Sequence, residues 1–559
     1  MRYEILLLVA LCSLTANAQT PNYTFNGNSQ NDFLGASVSC AGDVNGDGFD
    51  DVVVGADGDD NNGSRSGTAR VFSGLDGSLL YTFIGDDASD FLGHSVSGAG
   101  DVNADGFDDI IAGAWGDDDN GVGSGSARVF SGLDGSILYT FYGDFSSDGL
   151  GISVSDAGDV NGDGFDDVIA GAFGDDNNGS SSGSAKVYSG CDGCVLYQFN
   201  GDAPNAEFGR SVSGAGDVNS DGYDDLIVGA QNDDTNGNNS GSARVFSGVD
   251  GSILYTFFGQ IQTEFLGVSV SGAGDFNRDG FDDLIVGSPF DDNNGSHAGT
   301  ARVFSGADGC ILSTLNGNAP SDGFGHSVSG AGDVNGDGFA DVIVGAYADD
   351  NNGNNSGSAK VFFGRDGSSP YTLASPHVFS GDDIGDALGF SVSRAGDING
   401  DGFADLIVGA SADDNFGSSS GSAMVFLAPT LPTKVVSTKS HFRHFLRLDW
   451  TSGVTFSNPF AQTGSIRCSM GSPGGLGIAA ASLKTVDNLL FGFLPLLVDP
   501  DPLNLYFQTS FQFGSLGDVQ VLGIDLQNPA LAGNFTYVQF FQTSPLVLSS
   551  NALRLEYVP

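Results

Sequence analysis

Short apolar segments recur along most of this chain, and they do not show the 3.6-residue spacing of an amphipathic helix. In one unit, residues 91–97 alternate between apolar and small or polar side chains, and residues 110–114 are continuously apolar. Residues 126–130 follow a loop rich in Gly, Asp and Asn, and a tight Asp-Gly turn then leads into residues 137–141. Alternation is typical of a half-buried strand, and an unbroken apolar run is typical of a strand buried on both faces. The pattern predicts four antiparallel strands per unit.

The units are organised around a nine-residue pattern, Asp-x-Asn-x-Asp-Gly-(Phe/Tyr)-x-Asp, which occurs seven times. The copies begin at Asp43, Asp101, Asp159, Asp217, Asp275, Asp333 and Asp397. The first six are 58 residues apart, and the seventh follows after 64. A fixed period of this size indicates one structural unit per repeat, and four-stranded units repeated radially form a β-propeller. We therefore expect an all-β fold in which residues 19–429 form a seven-bladed β-propeller.

The two ends of the repeat region indicate how the ring closes. The seventh unit stops after its third strand, residues 422–427, and continues into Pro429 and Pro432. Residues 22–27 match the end of a fourth strand, because they share the Tyr-Thr-Phe sequence of residues 81–83. We expect the N-terminal strand to complete the last blade, which removes the exposed sheet edges that invite aggregation.

The nine-residue loops carry the candidate chemistry. Oxygen ligands at positions 1, 3 and 5, with Gly at position 6 and a backbone carbonyl at position 7, form the front half of a Ca²⁺ site. An EF-hand would place Glu at position 12, but that position is Val54 in the first copy and Ala112 in the second. Position 8 is Ala340 and Ala404 in the last two copies, whereas position 9 is Asp in all seven. The site should therefore close at position 9.

These loops predict about seven Ca²⁺ ions, one per blade, because three carboxylates in nine residues repel one another unless a cation lies between them. The alternative is a set of metal-free turns, since Asp and Asn stabilise turns by themselves. The predicted ligands, with the position-7 residue contributing its carbonyl, are Asp43, Asn45, Asp47, Phe49, Asp51, Asp101, Asn103, Asp105, Phe107, Asp109, Asp159, Asn161, Asp163, Phe165, Asp167, Asp217, Asn219, Asp221, Tyr223, Asp225, Asp275, Asn277, Asp279, Phe281, Asp283, Asp333, Asn335, Asp337, Phe339, Asp341, Asp397, Asn399, Asp401, Phe403 and Asp405.

Composition restricts the partners. The chain has 70 acidic and 19 basic residues and a formal net charge of −51. Only Glu4, Glu207, Glu264 and Glu556 are Glu, and this excess of Asp suits short loops that need a short ligand. Because phosphate binding needs a basic face, we expect no nucleic-acid partner.

The segments outside the repeats predict a location. Residues 1–18 have the features of a secretory signal peptide, namely Arg2, an apolar run at 5–11 and small residues at Ala16 and Ala18. After them the sequence has no apolar stretch of the roughly 18 residues that a membrane span needs, so we expect a secreted protein, extracellular or at a cell surface. Residues 430–559, with seven basic and seven acidic residues, predict a small all-β, sandwich-like domain for attachment, export or packing.

Strand alternation assigns the loops to two faces of the propeller. Loops between strands 1 and 2 and between strands 3 and 4 share the first face, which holds the calcium loops and the short Asp-Gly hairpins. We therefore expect ligands on the second face, where each blade also carries an Asp pair, such as Asp59-Asp60, that either contributes to recognition or only caps its own turn. The variable residues of that face, expected to suit a sugar, a cation or a basic protein surface, are Trp115, Phe173, Gln231, Phe290 and Tyr347.

The cysteines suggest structure more than chemistry. In an exported protein, the spacing of Cys191 and Cys194 across a tight turn favours a local disulfide over two free thiols. A redox pair would lie at a helix N-terminus, and a zinc site would need a second pair. Cys40, Cys310 and Cys468 have no assigned partner. Since no Ser, Cys or Thr lies beside a base in a nucleophile motif, we expect no enzymatic activity.

The sequence resembles the FG-GAP repeats of integrin α-chain propellers and their secreted bacterial relatives, over about three quarters of its length. The resemblance rests on the calcium loops, on Val-Gly-Ala runs such as residues 54–56, and on Phe-(Leu)-Gly-x-Ser-Val segments at Phe33, Phe91, Phe208, Phe265 and Phe324. It implies seven blades, calcium between strands 1 and 2, and ligand binding rather than catalysis. Integrin chains carry calcium in only some blades and continue into leg domains and a membrane helix, so the resemblance does not imply a heterodimeric receptor.

The sequence is compatible with three candidate functions. The first is a binding or adhesion module for an extracellular protein or glycan. The second is an exported enzyme on a propeller scaffold, of the polysaccharide lyase or phospholipase type, and the third is a structural surface-layer component. The near-identical blades favour the first, because an active site breaks the symmetry at one place.

Overall fold

The computed structural model describes residues 21–364, 377–381 and 383–428, together with six short strands after residue 453. All regular elements in these ranges are β-strands, and the same ranges contain no helix long and apolar enough to cross a bilayer. The chain divides into two compact units, Met1–Lys434 and Val435–Pro559. The predicted all-β class is confirmed.

Seven four-stranded antiparallel sheets in the first unit form the blades of a seven-bladed β-propeller, as predicted. The strands of blades one to three are β2 (Ser37–Gly42), β3 (Asp51–Ala56), β4 (Thr68–Phe72), β5 (Leu79–Ile84), β6 (Ser95–Gly100), β7 (Asp109–Ala114), β8 (Ser126–Phe130), β9 (Ile137–Tyr142), β10 (Leu150–Gly158), β11 (Asp167–Ala172), β12 (Ser184–Tyr188) and β13 (Val195–Asn200). The strands of blades four to six are β14 (Phe208–Gly216), β15 (Asp225–Ala230), β16 (Ser242–Phe246), β17 (Ile253–Phe258), β18 (Val270–Gly274), β19 (Asp283–Ser288), β20 (Thr300–Phe304), β21 (Ile311–Asn316), β22 (Phe324–Gly332), β23 (Asp341–Ala346), β24 (Ser358–Phe362) and β25 (His377–Ser380).

Blade seven closes the ring with the two ends of the repeat region. Its strands are β26 (Leu388–Gly396), β27 (Asp405–Ala410), β28 (Ser422–Phe426) and β1 (Tyr23–Asn26), paired in the order β1-β28-β27-β26. Tyr23 lies opposite Val425 and Phe25 opposite Ala423. The predicted closure by the N-terminal strand is confirmed.

The core of the propeller lies between blades rather than inside a single one. Each second strand is buried along its whole length, as in Asp51–Ala56, because neighbouring sheets cover both of its faces. One representative cluster joins Val53 and Phe83 of blade one to Ile110 and Phe130 of blade two, with the two Phe rings stacked 3.9 Å apart. Seven such clusters follow one another around the ring, so each blade depends on both neighbours for the burial of its apolar side chains.

The conserved spacing of glycine within the repeats has a packing explanation. Gly55 in the second strand of blade one faces Gly93, which lies two residues before the first strand of blade two. A Cβ at Gly55 would collide with the carbonyl oxygen of Gly93, and Gly93 itself has φ of +85°, which favours glycine. The Phe-Gly and Val-Gly-Ala segments are therefore two sides of one contact between adjacent blades.

The described part of the second unit consists of three antiparallel strand pairs. Its strands are β29 (Val454–Phe456), β30 (Gly464–Ile466), β31 (Leu476–Gly477), β32 (Leu489–Gly492), β33 (Asp525–Leu526) and β34 (Gln539–Gln542). They pair as β29 with β30, β31 with β33 and β32 with β34. The remainder of the predicted C-terminal domain, Cys468 and the predicted signal peptide lie outside the described residues.

Candidate calcium loops and ligand-binding face

Each nine-residue loop joins the first and second strands of its blade, so all seven emerge at equivalent ends of the sheets. In blade one, Asp43 follows β2 directly and Asp51 is the first residue of β3. Successive loops also touch, because the ring of Phe107 in blade two packs on Gly46 of blade one. The structure therefore places the predicted ligands in a continuous ring of loops on one face.

Within a loop, the carboxylates at positions 1 and 5 hold the turn. Asp43 accepts hydrogen bonds from the backbone N–H of Asp47 at 2.9 Å and of Gly48 at 2.8 Å. Asp47 accepts one from the N–H of Phe49 at 3.1 Å. Corresponding bonds fold the loop of blade two around Asp101 and Asp105. As the alternative interpretation of the loops anticipated, these side chains stabilise the turns through their own backbone.

Position 9 has a different environment, because it is buried. Asp51 is fully buried and accepts hydrogen bonds from the N–H groups of Gly74 at 3.0 Å and Val44 at 3.1 Å and from the Asn45 side chain at 3.1 Å. Burial, together with the negative charges of Asp47 and Asp43, raises the pKa of Asp51 to about 7. The same causes raise the pKa of Asp109, Asp167, Asp225, Asp283 and Asp405 to about 7 and that of Asp341 to about 8.

The loops have the donor set that calcium requires, although the carboxylates are turned towards the backbone. In the described part of the chain, no three His, Cys, Asp or Glu side chains are grouped closely enough to hold a metal ion as they stand. However, the Oδ1 atom of Asn277, at position 3 in blade five, is buried and accepts no hydrogen bond from a described residue. Three carboxylates, an amide oxygen and a backbone carbonyl are hard oxygen donors of the kind that Ca²⁺ prefers. The residues fit this ion in type and spacing.

Position 8, which the sequence pattern excluded from the predicted ligands, links neighbouring blades. Asp108 accepts a hydrogen bond from the backbone N–H of Asp43 in the preceding blade at 2.8 Å. Equivalent bonds run from Asp101 to Asp166 at 2.8 Å, from Asp217 to Asp282 at 3.0 Å and from Asp397 to Asp50 at 2.7 Å. The side chain therefore connects one candidate calcium loop to the next, which gives a structural reason for the recurrence of Asp at this position.

On the second face, the Asp pairs cap their own loops. Asp59 is buried and accepts hydrogen bonds from the N–H of Asn61 at 2.9 Å and from the guanidinium of Arg70 at 2.6 Å. Asp60 accepts one from the N–H of Arg65 at 2.7 Å. Corresponding bonds occur in blade two, where Asp117 and Asp118 have the same roles. Of the two interpretations of these pairs, the structure supports turn capping over ligand recognition.

A buried base in the third strand is a feature that the sequence analysis missed. Arg128 lies almost wholly inside blade two and contacts Asp117 at 2.9 Å and Asp86 of the preceding connection at 2.7 Å. Positions equivalent to Arg128 are occupied by Arg70, Lys186, Arg244, Arg302, Lys360 and Met424. The signal was present in the recurring Ser-Ala-(Arg/Lys)-Val-Phe segments, where one basic residue interrupts a buried strand.

The predicted ligand-face residues are all partly exposed, and the four aromatic ones lie beside other aromatic side chains. Trp115 stacks on Phe91 with ring centroids 4.9 Å apart and meets the edge of Phe173 at 6.5 Å. Phe290 lies 5.2 Å from Phe265. In other blades, Tyr347 lies 4.7 Å from His326, and the Gln231 amide donates a hydrogen bond to Glu207 at 2.7 Å.

Arg210 gives this aromatic surface a positive charge. Its guanidinium lies over the Phe173 ring, 5.2 Å from the centroid. Burial lowers the pKa of Arg210, while the nearby Glu207 carboxylate raises it. Burial and the charge of Arg210 together lower the pKa of His326 to about 4, so His326 is neutral at physiological pH. We refer to Trp115, Phe173, Arg210, His326 and Tyr347 as the aromatic–arginine cluster.

Cys191 and Cys194 are both exposed and carry free thiols in the structure, so no disulfide is formed at this turn. The turn is closed instead by hydrogen bonds. The N–H of Ser189 donates to the carbonyl of Cys194 at 2.9 Å, and the N–H of Cys194 donates to Asp192 at 2.9 Å. Cys40 and Cys310 are also free thiols.

Comparison with known proteins agrees with this geometry. The FG-GAP repeat family matches five segments, residues 35–72, 208–246, 266–304, 324–362 and 389–426. The chain is similar to integrin alpha-5 of Xenopus laevis, 33% identical over 184 residues, covering 30% of this chain and 17% of the relative. It is also similar to integrin alpha-V of Gallus gallus, 30% identical over 251 residues, covering 40% of this chain and 23% of the relative. The match therefore spans about a quarter or less of these relatives' own length.

Proposed function

Because the chain is an FG-GAP repeat protein whose propeller resembles those at the N-termini of integrin alpha chains, we propose that it is a secreted, calcium-stabilised module that binds an extracellular protein or glycan. The ligand docks on the second face, and the seven calcium loops stabilise the ring from the first. The observation that carries this proposal is the aromatic–arginine cluster, since partly exposed rings and a cation gather there while the Asp pairs are occupied in turns.

The chemistry of the aromatic–arginine cluster restricts the chemical class of the ligand. The Asp pairs would attract a basic partner, but they are committed to their own loops. Arg210 instead presents a guanidinium beside the ring of Phe173, and aromatic faces pack well against the C–H surfaces of sugars or against apolar side chains. A neutral glycan or a protein surface with apolar side chains therefore fits the cluster.

Calcium binding is part of the same proposal. Support comes from the three-carboxylate loops, the buried Asn277 oxygen and the raised pKa of each position-9 Asp, which a bound cation would reverse by stabilising the charged form. We propose about seven ions with extracellular-type dissociation constants of about 10⁻⁴–10⁻³ M. Secretion is proposed from residues 1–18.

The test is a binding screen of the full chain against immobilised glycans and extracellular proteins in the presence of calcium. The double variant Trp115→Ala/Tyr347→Ala should lose the binding found for the native protein, with an unchanged melting temperature and calcium content. A matched control removes exposed apolar side chains at the Asp-Gly hairpins of the first face, Leu75→Ala/Leu133→Ala, and should bind normally. Binding that survives the first double variant, or disappears in the second, would contradict the assignment of the ligand face.

A further inference from the structure

The seven inner strands share the sequence Ser-Val-Ser-x-Ala-Gly, and position x of every blade lines the central channel. This position is Gly in four blades, at Gly98, Gly214, Gly272 and Gly330. In the other three blades it is Cys40, Asp156 and Arg394. At this ring of positions, charge and chemical reactivity therefore differ between blades that are otherwise very similar.

Packing makes a side chain at this position costly. A Cβ at Gly330 would lie 2.7 Å from the carbonyl oxygen of Gly272 in the preceding blade, and a Cβ at Gly98 would lie 2.9 Å from that of Cys40. Both distances are shorter than normal van der Waals contacts, so the backbone must shift wherever a larger residue is present. Three blades accept that cost, and two of them place opposite charges in the channel.

Position 8 of the nine-residue loops contributes further charges to the channel wall. Asp50, Asp108, Asp224 and Asp282 line the cavity at its calcium-loop end and belong to blades one, two, four and five. In blades six and seven, Ala340 and Ala404 occupy the equivalent positions, also on the cavity wall. Asp397 of blade seven also lines the cavity, so carboxylates surround most of the channel, and Arg394 is the only basic residue among the described residues that line it.

Arg394 and Asp156 carry opposite charges, and both are available to a ligand in the channel. Arg394 is exposed within the cavity, and no ion pair found among the described residues involves it. Asp156 accepts a hydrogen bond from the N–H of Gly158 at 2.8 Å. Burial, together with the negative charges of Asp166 and Asp224, raises the pKa of Asp156 to about 6, while the N–H of Gly158 and the positive charge of Arg394 act in the opposite direction.

We propose that the central channel binds a small zwitterion, whose carboxylate contacts Arg394 and whose ammonium group contacts Asp156 and the carboxylates at the calcium-loop end. The cavity encloses about 820 Å³, which accommodates a molecule of this size with water. A simple anion would have to face the carboxylates, and a dication would have to face Arg394. A molecule with one charge of each sign can pair with Arg394 and with the carboxylates at the same time. This site is separate from the ligand-binding face and does not depend on it.

The experiment uses the full chain in calcium and ligand-observed NMR with 6-aminohexanoate as the probe. Hexanoate and 1,5-diaminopentane are the matched probes, because each lacks one of the two charges. The zwitterion should bind at least about tenfold more tightly than either, since each charge-assisted hydrogen bond contributes about a tenfold factor or more. Equal binding of the three probes, or the tightest binding by the dication, would overturn the proposal.

The repeat supplies variants that preserve folding, since Gly is native at this position in four blades. Arg394→Gly and Asp156→Gly should each weaken 6-aminohexanoate binding about tenfold or more, with unchanged melting temperatures. Cys40→Gly, which removes a neutral side chain from the same ring, should change it less than about twofold, because it removes no charge. Zwitterion binding that is unaffected by both charge-removing variants would place it outside the channel and refute the site.

Discussion

Phe25 in the first strand of the chain stacks on Phe72 of blade one, with ring centroids 4.0 Å apart. Phe25 belongs to blade seven by its hydrogen bonds, so this contact joins the last blade to the first. Equivalent stacks between Phe83 and Phe130 and between Phe257 and Phe304, both 3.9 Å, join other neighbours. The closure of the ring therefore uses the same stacked Phe–Phe contact as these other junctions between blades.

Phe25→Ala should destabilise the whole propeller rather than fray one end. Removing a buried Phe costs about 3–5 kcal/mol, and the junction between blades seven and one would lose its central ring. Thermal unfolding followed by circular dichroism should show one transition at lower temperature. Thr24→Ala, in the same strand but exposed, is the control and should unfold close to the native protein. An unchanged melting temperature for Phe25→Ala would contradict closure by β1.

Asp109→Asn should remove one calcium ion from the protein, because it neutralises the position-9 ligand of blade two and keeps its size. Elemental analysis after dialysis against calcium should show one ion fewer than in the native protein. Chelation with EGTA should lower the melting temperature of both proteins, since an ion that binds only the folded state stabilises it.

The adjacent Asp108→Ala is the control for this variant, because Ala is native at the same position in blades six and seven. It should keep the native calcium content and lose only the hydrogen bond to the N–H of Asp43. That loss amounts to about 1 kcal/mol of stability. A fall in calcium content for Asp108→Ala, or none for Asp109→Asn, would reverse the roles assigned to positions 8 and 9.

The buried base and its carboxylate should be unequal in their contributions to stability. Blade seven has Met424 in place of the base, and Asp413 is still held by Ser422 at 2.6 Å and by the N–H of Asn415 at 2.8 Å. Arg128→Met should therefore be tolerated at a cost of about 1–3 kcal/mol, since Ser126 and the N–H of Asp119 still hold Asp117. Asp117→Ala leaves those donors unsatisfied and should cost more, about 3–5 kcal/mol. Urea unfolding of both variants decides the order, and a larger loss for Arg128→Met would contradict it.

His326 should make the stability of the propeller depend on pH between about 4 and 6.5. Its pKa is lowered from 6.5 to about 4 in the folded state, so the unfolded chain binds the proton first as the pH falls through this window. Stability attributable to this residue is therefore complete above 6.5 and decreases towards pH 4. His326→Phe introduces the residue found at the equivalent Phe390, and its melting temperature should depend less on pH across this window than that of the native protein. If the gap between the two melting temperatures does not change with pH, His326 titrates normally.

The features that recur in every blade were the ones that the sequence could predict. The spacing of Asp43, Asp101 and their equivalents gave the number of blades, and the match of residues 22–27 to a fourth strand gave the closure. Both depend on local patterns that the repeats display many times. The assignment of position 9 rather than position 8 followed from Ala340 and Ala404 and stays a prediction, while the structure shows that Asp108 at position 8 accepts a hydrogen bond from the neighbouring blade.

Contacts between blades were beyond this kind of inference. The bond from Asp43 to Asp108 joins residues 65 apart in the chain, and the pairing of Arg128 with Asp86 crosses a connection between blades. Neither distance is visible in a linear pattern. The role of the Asp pairs was ambiguous because turn capping and ligand recognition require the same side chain. The hydrogen bond that Asp60 accepts from the backbone N–H of Arg65 distinguishes the two roles.

The pairing of β1 with β28 also determines how the ring responds to mechanical load. Tyr23 lies beside Val425, and the N–H of Asn22 donates to the carbonyl of Val425 at 2.7 Å, so the strand ends that lead out of the propeller are adjacent. Tension applied between these two ends breaks the hydrogen bonds of β1 one at a time, starting at Asn22, instead of loading them all together. A force that separates the two ends of the repeat region therefore opens blade seven first, at the strand that holds the ring closed.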